Sequence, residues 1–487
     1  MTIDQWIVDA AKRSPDKCAI EFQGKILTYK DFAAKIADTT AELRARGIGH
    51  GDRVAWYGMN DPKVFVLLFA CARRGAIFVP LNWRLADDEI AAIWASCAPS
   101  ALFHDDAFAQ KAAQLTCMAG SNQAESASAD DALLIVYTSG STGTPKGAVL
   151  TQKALVANAA MSIEAHGLTV DDTVLNVLPL FHVGGLNILP TPAFSIGASV
   201  VLHRSFDPAA MIADLARVQA AITVPTVLSA VLSHADWPRA DLGALRCLSI
   251  GSTDVPMDLI HTVHARDVPM VQIYGATETS PFAIYQRHSD AMRSEGSIGR
   301  KGSCELRLVS PDGSDAKTGE PGEIWVRGDN VLRGYWRNPD LSAQHMEDGW
   351  FKTGDVASCD ADGQYFFRDR IKHIIISGGE NIYPAEIERV LRTHPAIAEV
   401  AVVGIPDAKW GETPAAVVVS EQAPAPADLL AHLKGSLARY KHPHHFVFID
   451  ELPRNAMGKV RTDKIRGLAI DAVAESANNG DAITEPG

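Results

Sequence analysis

The sequence predicts an α/β fold: a large N-terminal domain of parallel sheets with a β-rich subdomain, followed by a small α+β C-terminal domain. Three observations carry this. Over residues 19–104 short apolar runs alternate with amphipathic stretches of helical length, as strands do with their crossover helices. From about residue 296 to 370 strand-like runs are separated by turns such as Pro311-Asp312-Gly313 and Asp360-Ala361-Asp362-Gly363. After Arg370 a shorter alternation returns and ends near Ile470. A chain of 487 residues exceeds one hydrophobic core, so more than one domain is expected. The expected boundaries are 1–370, with the β-rich part at about 296–370, then 371–470, then a disordered tail over 471–487.

Residues 4–14 read as a helix, and 19–22 and 25–29 as strands around the turn Gln23-Gly24. Thr28-Tyr29-Lys30-Asp31 has capping-box spacing and opens a helix with Phe32, Ile36 and Leu43 on one face. Gly47 ends it. Residues 52–57, 76–81 and 100–104 read as strands, and 63–74 and 87–97 as helices. Residues 119–131 are small, polar and acidic, an exposed connector. Residues 132–136 form a buried strand. Farther on, three apolar strands run into segments around His182, Gly251 and Gly275. Ligands of open α/β sheets bind beyond the carboxyl ends of strands, so these segments are expected to converge. In the small domain, 374–377, 400–403, 415–419 and 446–449 read as strands, and 384–391 and 427–439 as helices. The tail Ser-Ala-Asn-Asn-Gly-Asp-Ala-Ile-Thr-Glu-Pro-Gly has too little apolar content to pack.

Hydrophobic residues at 47% and charged residues at 21% fit a soluble globular protein. No apolar run is long enough for a membrane span, and the N-terminus has no signal-peptide pattern, so a cytoplasmic protein is expected. A net charge of -13 argues against a general nucleic-acid binder. The seven cysteines include no C-x-x-C pair and read as reduced thiols without a metal or catalytic role.

The densest chemistry lies at Tyr137 to Gly147, Y-T-S-G-S-T-G-T-P-K-G. These eleven residues hold three glycines, five Ser/Thr hydroxyls and one lysine. Glycine lets backbone N–H groups approach a ligand, hydroxyls donate, and lysine is a point charge suited to phosphate. Thr138, Ser139, Gly140, Ser141, Thr142, Gly143 and Lys146 therefore form a candidate polyphosphate cradle. The Walker P-loop does not fit: Pro145 precedes Lys146 and Gly147 follows it, so no hydroxyl stands where that motif binds magnesium. A flexible linker is the plain alternative, but linkers rarely follow a buried strand.

This stretch resembles the phosphate loop of the adenylate-forming superfamily, which includes the acyl- and aryl-CoA synthetases. The superfamily's other motifs follow in order over nearly the whole chain. They are Tyr274-Gly275-Ala276-Thr277-Glu278; Lys352-Thr353-Gly354-Asp355; Arg368-Asp369-Arg370-Ile371-Lys372 with Ser377-Gly378-Gly379-Glu380; and Pro453 to Lys459, P-R-N-A-M-G-K. Asp369 departs from the usual glycine. Each motif alone has a plain reading: a capped loop at Thr277, an Asx turn at Asp355, a turn at Gly378-Gly379, surface lysines at 372 and 459, a core histidine at His182. The ordered set outweighs these.

The resemblance implies an ATP-dependent acid–CoA ligase with Mg²⁺. A carboxylate attacks the α-phosphate of ATP to give acyl-AMP and pyrophosphate, and the thiol of coenzyme A then displaces AMP. By resemblance Thr277 donates to the α-phosphate and Glu278 is the metal ligand. Ser252, Thr253, Tyr274 and Gly275 line the nucleotide, and Asp355 and Arg370 hold the ribose. Lys459 is catalytic, neutralising charge as the carboxylate meets the α-phosphate. By the same resemblance the small domain turns about the hinge residue Lys372, bringing Ser377, Gly378, Gly379 and Glu380 toward a tunnel for the pantetheine of coenzyme A, with Tyr440 near it. His182, Val183, Leu186, Asn187, Thr226, Gly251, Gly275 and Thr279 line the acid pocket. Val183, Leu186, Asn187, Thr226, Ser252 and Thr253 are small or apolar, with no evident cation for a second carboxylate, which favours a monocarboxylic acid of medium-chain acyl, aryl or hydroxycinnamate type. Two alternatives stand beside this: a non-catalytic nucleotide-binding homologue, and a ligase serving a carrier-protein thiol. Expected partners are the acid, ATP and coenzyme A, with no nucleic acid and no membrane span, in a monomer or homodimer.

Overall fold

The structure is a computed structural model that describes residues 2–479, except 124–125, 139–144, 253–254, 379, 408, 435 and 455–459. It divides into two compact units. The first comprises Met1–Arg307, Trp325–Thr353 and Asp360–Phe366; the second comprises Leu308–Ile324, Gly354–Cys359 and Phe367–Gly487.

Two sheets build the first unit. Among the described residues one sheet runs Arg300–Lys301, Ile284–Tyr285, Met270–Tyr274, Cys247–Gly251, Ala220–Thr223, Thr173–Asn176, Ser199–Leu202, Cys18–Phe22, Lys25–Thr28. Its interior, from Met270–Tyr274 to Cys18–Phe22, is parallel, and both edges are antiparallel. The strands Ser199–Leu202, Ala220–Thr223 and Cys247–Gly251 are buried at every position, as parallel strands covered on both faces must be. The other sheet runs Gly334–Tyr335, Lys146–Thr151, Ala132–Thr138, Ile77–Leu81, Arg53–Tyr57, Ala101–His104. The helix start predicted at Thr28 is found, and side-chain capping recurs at the next helix. The Thr28 hydroxyl accepts the N–H of Asp31 at the head of Tyr29–Ala45, and the Asp61 carboxylate accepts that of Lys63 at the head of Pro62–Arg74. Phe32, Phe65 and Phe69 each meet Phe194 or one another edge-on at 5.0 to 6.1 Å between centroids, which ties these helices into one core.

One feature differs from the strand-and-helix expectation. Ala132–Thr138 is answered by an antiparallel strand, Lys146–Thr151, with Tyr137 opposite Gly147 and Thr138 opposite Lys146. Lys146, the cation of the candidate phosphate segment, thus stands on a paired strand beside Thr138.

The β-rich stretch is as expected: Glu305–Val309, Gly322–Arg327, Trp350–Cys359 and Met346–Glu347 form a sheet with Tyr365–Arg370 on Trp350–Cys359. The boundary between the two units runs through its strands.

The second unit holds a sheet in the order Glu380–Ile382, Ile375–Ser377, Gly411–Val419, Glu399–Asp407, with His445–Ile449 parallel to Gly411–Val419. Residues alternate between its faces. Val400, Val402, Ala416 and Val418 pack with Ile387, Leu391, Leu429 and Leu433, while Ala401, Val403, Ala415 and Val417 pack with Ile465 and Ala469. The strands expected over 400–403 and 415–419 are longer, paired from Glu399↔Val419 to Asp407↔Gly411. Gly404, Pro406 and Pro414 look like turn residues, yet the ladder runs through them. The helix expected over 427–439 is Pro426–Lys434. The tail expected to be disordered from residue 471 is helical as far as Asn479, in Thr462–Asn479. Ile465, Ala469 and Val473 recur every fourth residue and give that helix an apolar stripe against the sheet.

Candidate active site

In the first unit four adjacent parallel strands deliver the predicted segments to one edge. Thr173–Asn176 leads to His182, Ala220–Thr223 to Thr226, Cys247–Gly251 to Ser252, and Met270–Tyr274 to Gly275. Because the strands are parallel, all four carboxyl ends lie on the same side, which is the expected convergence.

Backbone packing holds this edge. A Cβ on Gly275 would lie 1.6 Å from the carbonyl oxygen of Pro281, and one on Gly251 would lie 2.5 Å from that of Ile273. Both glycines are demanded by neighbouring backbone, a reason distinct from the ligand approach that the motif implied. Thr279 is fully buried; its hydroxyl accepts the N–H of Ala276 at 2.9 Å and lies 3.0 Å from the carbonyl of Pro281. It closes the loop from within, so the structure places it inside the turn rather than on a pocket wall. Thr277 and Glu278 are half-buried beside it. The Glu278 carboxylate accepts the Tyr335 hydroxyl at 2.8 Å, and its backbone carbonyl accepts the N–H of Leu332 at 2.7 Å.

Around the expected acid pocket, His182 precedes the short helix Val183–Asn187 and meets Phe181 edge-on at 4.5 Å. The Arg84 guanidinium sits 5.7 Å from the Phe181 ring centroid. Val183, Leu186 and Asn187 are buried. The side-chain oxygen of Asn187 accepts the Thr191 hydroxyl at 3.0 Å, while its amide nitrogen is buried without a hydrogen-bond partner among the described residues. Thr226 is exposed in the first turn of Pro225–Leu232. Ser252 is exposed with φ +84°, a left-handed conformation that turns the chain at the strand end. At the candidate phosphate segment, the Thr138 hydroxyl reaches the carbonyl of Lys146 at 3.4 Å across the paired strands. Ser139, Gly140, Ser141, Thr142, Gly143 and Thr253 lie outside the described residues.

In the second unit Asp355 is buried and meets Arg370, with Oδ1 3.1 Å from Nε. The structure brings together the two residues assigned to the ribose. Asp369 is also buried. Its carboxylate accepts the N–H of Arg370 at 2.7 Å and that of Ala385 at 2.8 Å, at the start of helix Pro384–Leu391. The departure from glycine thus supplies a helix cap. Lys372 is exposed in the turn Ile371–His373. Ser377 and Glu380 face each other across a hairpin in which Gly378 has φ +59° and donates its N–H to the carbonyl of Trp410 at 2.8 Å. Tyr440 is exposed beside Lys441, which pairs with Glu386 at 2.7 Å. Gly379 and Lys459 lie outside the described residues.

The sequence reading did not name Tyr335. Its only local signal is Gly334-Tyr335-Trp336, and its partner lies 57 residues earlier. Among the described residues no three His, Cys, Asp or Glu side chains gather to hold a metal. Magnesium carried by nucleotide phosphates takes few protein carboxylates, so the single carboxylate of Glu278 fits it.

Two family descriptions match the chain: AMP-binding enzyme over residues 7–336 and AMP-binding enzyme C-terminal domain over residues 386–459. The indoleacetate–CoA ligase of Aromatoleum aromaticum is 46% identical over 500 residues, covering 96% of this chain and 98% of that protein. A feruloyl-CoA synthase of an Amycolatopsis species is 39% identical, covering 95% and 98%. The o-succinylbenzoate CoA synthetase of Bacillus subtilis, solved with its acyl-adenylate intermediate, has a TM-score of 0.86 at 31% identity, covering 95% and 97%. ATP-bound MatB from Rhodopseudomonas palustris has a TM-score of 0.88 at 29% identity, covering 97% and 100%.

Proposed function

This chain belongs to the AMP-binding enzymes, and we propose that its acid substrate is an aromatic monocarboxylic acid of the arylacetic or hydroxycinnamic kind. It is an AMP-forming acid–CoA ligase that uses ATP and Mg²⁺ and takes coenzyme A as co-substrate. The observation that carries the aromatic reading is the pair of full-length relatives named for indoleacetate and ferulate. The Phe181-His182 pair with Val183 beside it supports the reading, since aromatic and apolar side chains there suit a flat ring, whereas Leu186 is fully buried behind them.

In the first half-reaction a carboxylate oxygen attacks the α-phosphorus, and the bond to the bridging oxygen of pyrophosphate breaks. Thr277 donates to the α-phosphate, Lys146 holds the departing phosphates, and Lys459 is assigned the neutralising charge for the two reacting anions, the carboxylate and the α-phosphate. Their mutual repulsion is the barrier, so a fixed cation lowers it without transferring a proton. Glu278 would hold Mg²⁺, which supplies charge neutralisation on the phosphates when bound. In the second half-reaction the thiol sulfur attacks the acyl carbon, its proton is lost, and AMP leaves on the carboxylate oxygen. Asp355 and Arg370 hold the ribose through both.

A panel of acids scored by CoA-dependent AMP release tests the reading. Indoleacetate, phenylacetate, ferulate and coumarate should give kcat/KM well above hexanoate and octanoate. Preference for the aliphatic acids would reverse it. We also place the enzyme in the cytoplasm as a monomer or homodimer. No helix among the described residues is long and apolar enough to cross a membrane. Light scattering of the purified protein measures the assembly, and a tetramer would contradict it.

A further inference from the structure

The segment Arg333 to Trp336 is stitched to the strand that carries Lys146. Gly334 pairs with Val149 and Tyr335 with Ala148. The N–H of Arg333 donates to the carbonyl of Val149 at 2.8 Å, and that of Trp336 to the carbonyl of Gly147 at 2.7 Å. The N–H of Tyr335 donates to the Ser342 hydroxyl at 2.8 Å. The Tyr335 side chain is buried, and its hydroxyl donates to Oε1 of Glu278. Just upstream, the N–H of Leu332 donates to the backbone carbonyl of Glu278. One short segment therefore grips Glu278 at both ends and grips the strand that carries Lys146. Oε2 of Glu278 has no hydrogen bond among the described residues.

We infer that Tyr335 is a positioning residue: its hydroxyl locks the Glu278 carboxylate in register with the strand of Lys146 and presents the remaining oxygen to the nucleotide-bound metal. This rests on the reading of Glu278 as the metal ligand. A hydroxyl on a ligating carboxylate matters because it removes the rotation the carboxylate would otherwise lose on binding metal. It also ties the carboxylate's position to that of Lys146, so the groups facing metal and phosphate move as one body.

The test is a cycle of Tyr335→Phe, Glu278→Gln and the double variant. Free Mn²⁺ is measured by electron paramagnetic resonance in the presence of each full-length protein and α,β-methylene-ATP, which cannot be adenylated. Tyr335→Phe keeps the ring and removes only the hydroxyl. It should weaken Mn²⁺ retention by about tenfold. Glu278→Gln should weaken it at least as much. In the Glu278→Gln background the Tyr335 change should add almost nothing, because the neutral amide is a poor metal ligand however the hydroxyl holds it. Wild-type Mn²⁺ affinity in Tyr335→Phe, with loss in Glu278→Gln, overturns the role of Tyr335 and leaves the reading of Glu278 standing. Wild-type affinity in Glu278→Gln overturns both. Should the Phe variant soften the fold, its effect would add in full to that of Glu278→Gln, and full additivity also counts against the proposal.

Discussion

The two units hold their candidate site residues in opposite ways. In the first, Gly251, Gly275 and Thr279 are packed into backbone, and Glu278 is gripped from Leu332 and Tyr335. In the second, Lys372 and Tyr440 stand exposed on short turns and Arg370 and Glu380 stand exposed at strand ends, with the buried Asp355 carboxylate against Arg370. The first unit is built as a mould and the second as a set of presented side chains. Substitutions should therefore fail in different currencies, by unfolding in the first and by lost chemistry in the second.

The sharpest contrast is Gly275→Ala against Lys459→Ala. The alanine methyl would lie 1.6 Å from the Pro281 carbonyl oxygen, a backbone atom that cannot step aside without moving the loop. We expect a loss of about 4 kcal/mol or more in unfolding free energy, with activity lost alongside. Denaturant titration checks it, and a well-folded, active Gly275→Ala protein would break the comparison. Lys459→Ala should leave the unfolding midpoint unchanged and slow adenylation by about a thousandfold, the scale of removing one well-placed charge-stabilising donor. Supplied acyl-AMP and coenzyme A should still give thioester. Equal loss of both half-reactions would count against the role of Lys459.

What was legible in the sequence follows the same divide between local and distant causes. The strand ends at Gly251 and Gly275 and the helix start at Thr28 are written in neighbouring residues, and the structure has them where those residues put them. The antiparallel strand through Lys146 was not legible, because such pairing depends on a partner strand and leaves no period of its own. The Tyr335–Glu278 bond is invisible for the same reason. At 404–414 the local signal pointed the wrong way, since glycine and proline mark turns until a full ladder overrides them. Past Ile470 the composition is polar enough to suggest a tail, yet the four-residue spacing of Ile465, Ala469 and Val473 carries the helix on.

Acid should separate the units further. His166 is fully buried in the first unit, with Nδ1–H donating to the carbonyl of Ser162 at 2.7 Å and Nε2 accepting the Ser249 hydroxyl at 2.6 Å. Burial, helped by the nearby His288 and Arg246 charges, lowers it to about 4 from an ordinary 6.5. The native state thus favours neutral imidazole. Above pH 6.5 that preference contributes in full; as pH falls from 6.5 through 4 the unfolded chain takes up a proton that the native state refuses, and stability is lost. The loss is on the order of 3 kcal/mol across that window. His166→Gln should flatten the acid limb of a stability–pH curve for the first unit. An unchanged slope between pH 6.5 and 4 would show that another group sets the limb.

The smallest effect belongs to Asp369, and it probes whether the second unit is anchored as described. Asp369→Gly restores the residue usual in the resembling motif and deletes the acceptor for two N–H groups, those of Arg370 and Ala385. Loss of a helix-capping carboxylate costs about 1 kcal/mol. Replacing a side-chain residue by glycine also loosens the unfolded chain, which adds in the same direction. The destabilisation should appear in hydrogen exchange at the start of Pro384–Leu391 and leave the first unit unaffected. Adenylation should be nearly unchanged, because Arg370 keeps its contact with Asp355. If the glycine variant instead lost ribose binding, measured as a raised KM for ATP with an intact helix start, Asp369 would be holding Arg370 in place rather than capping the helix. The second unit would then share the moulded character of the first.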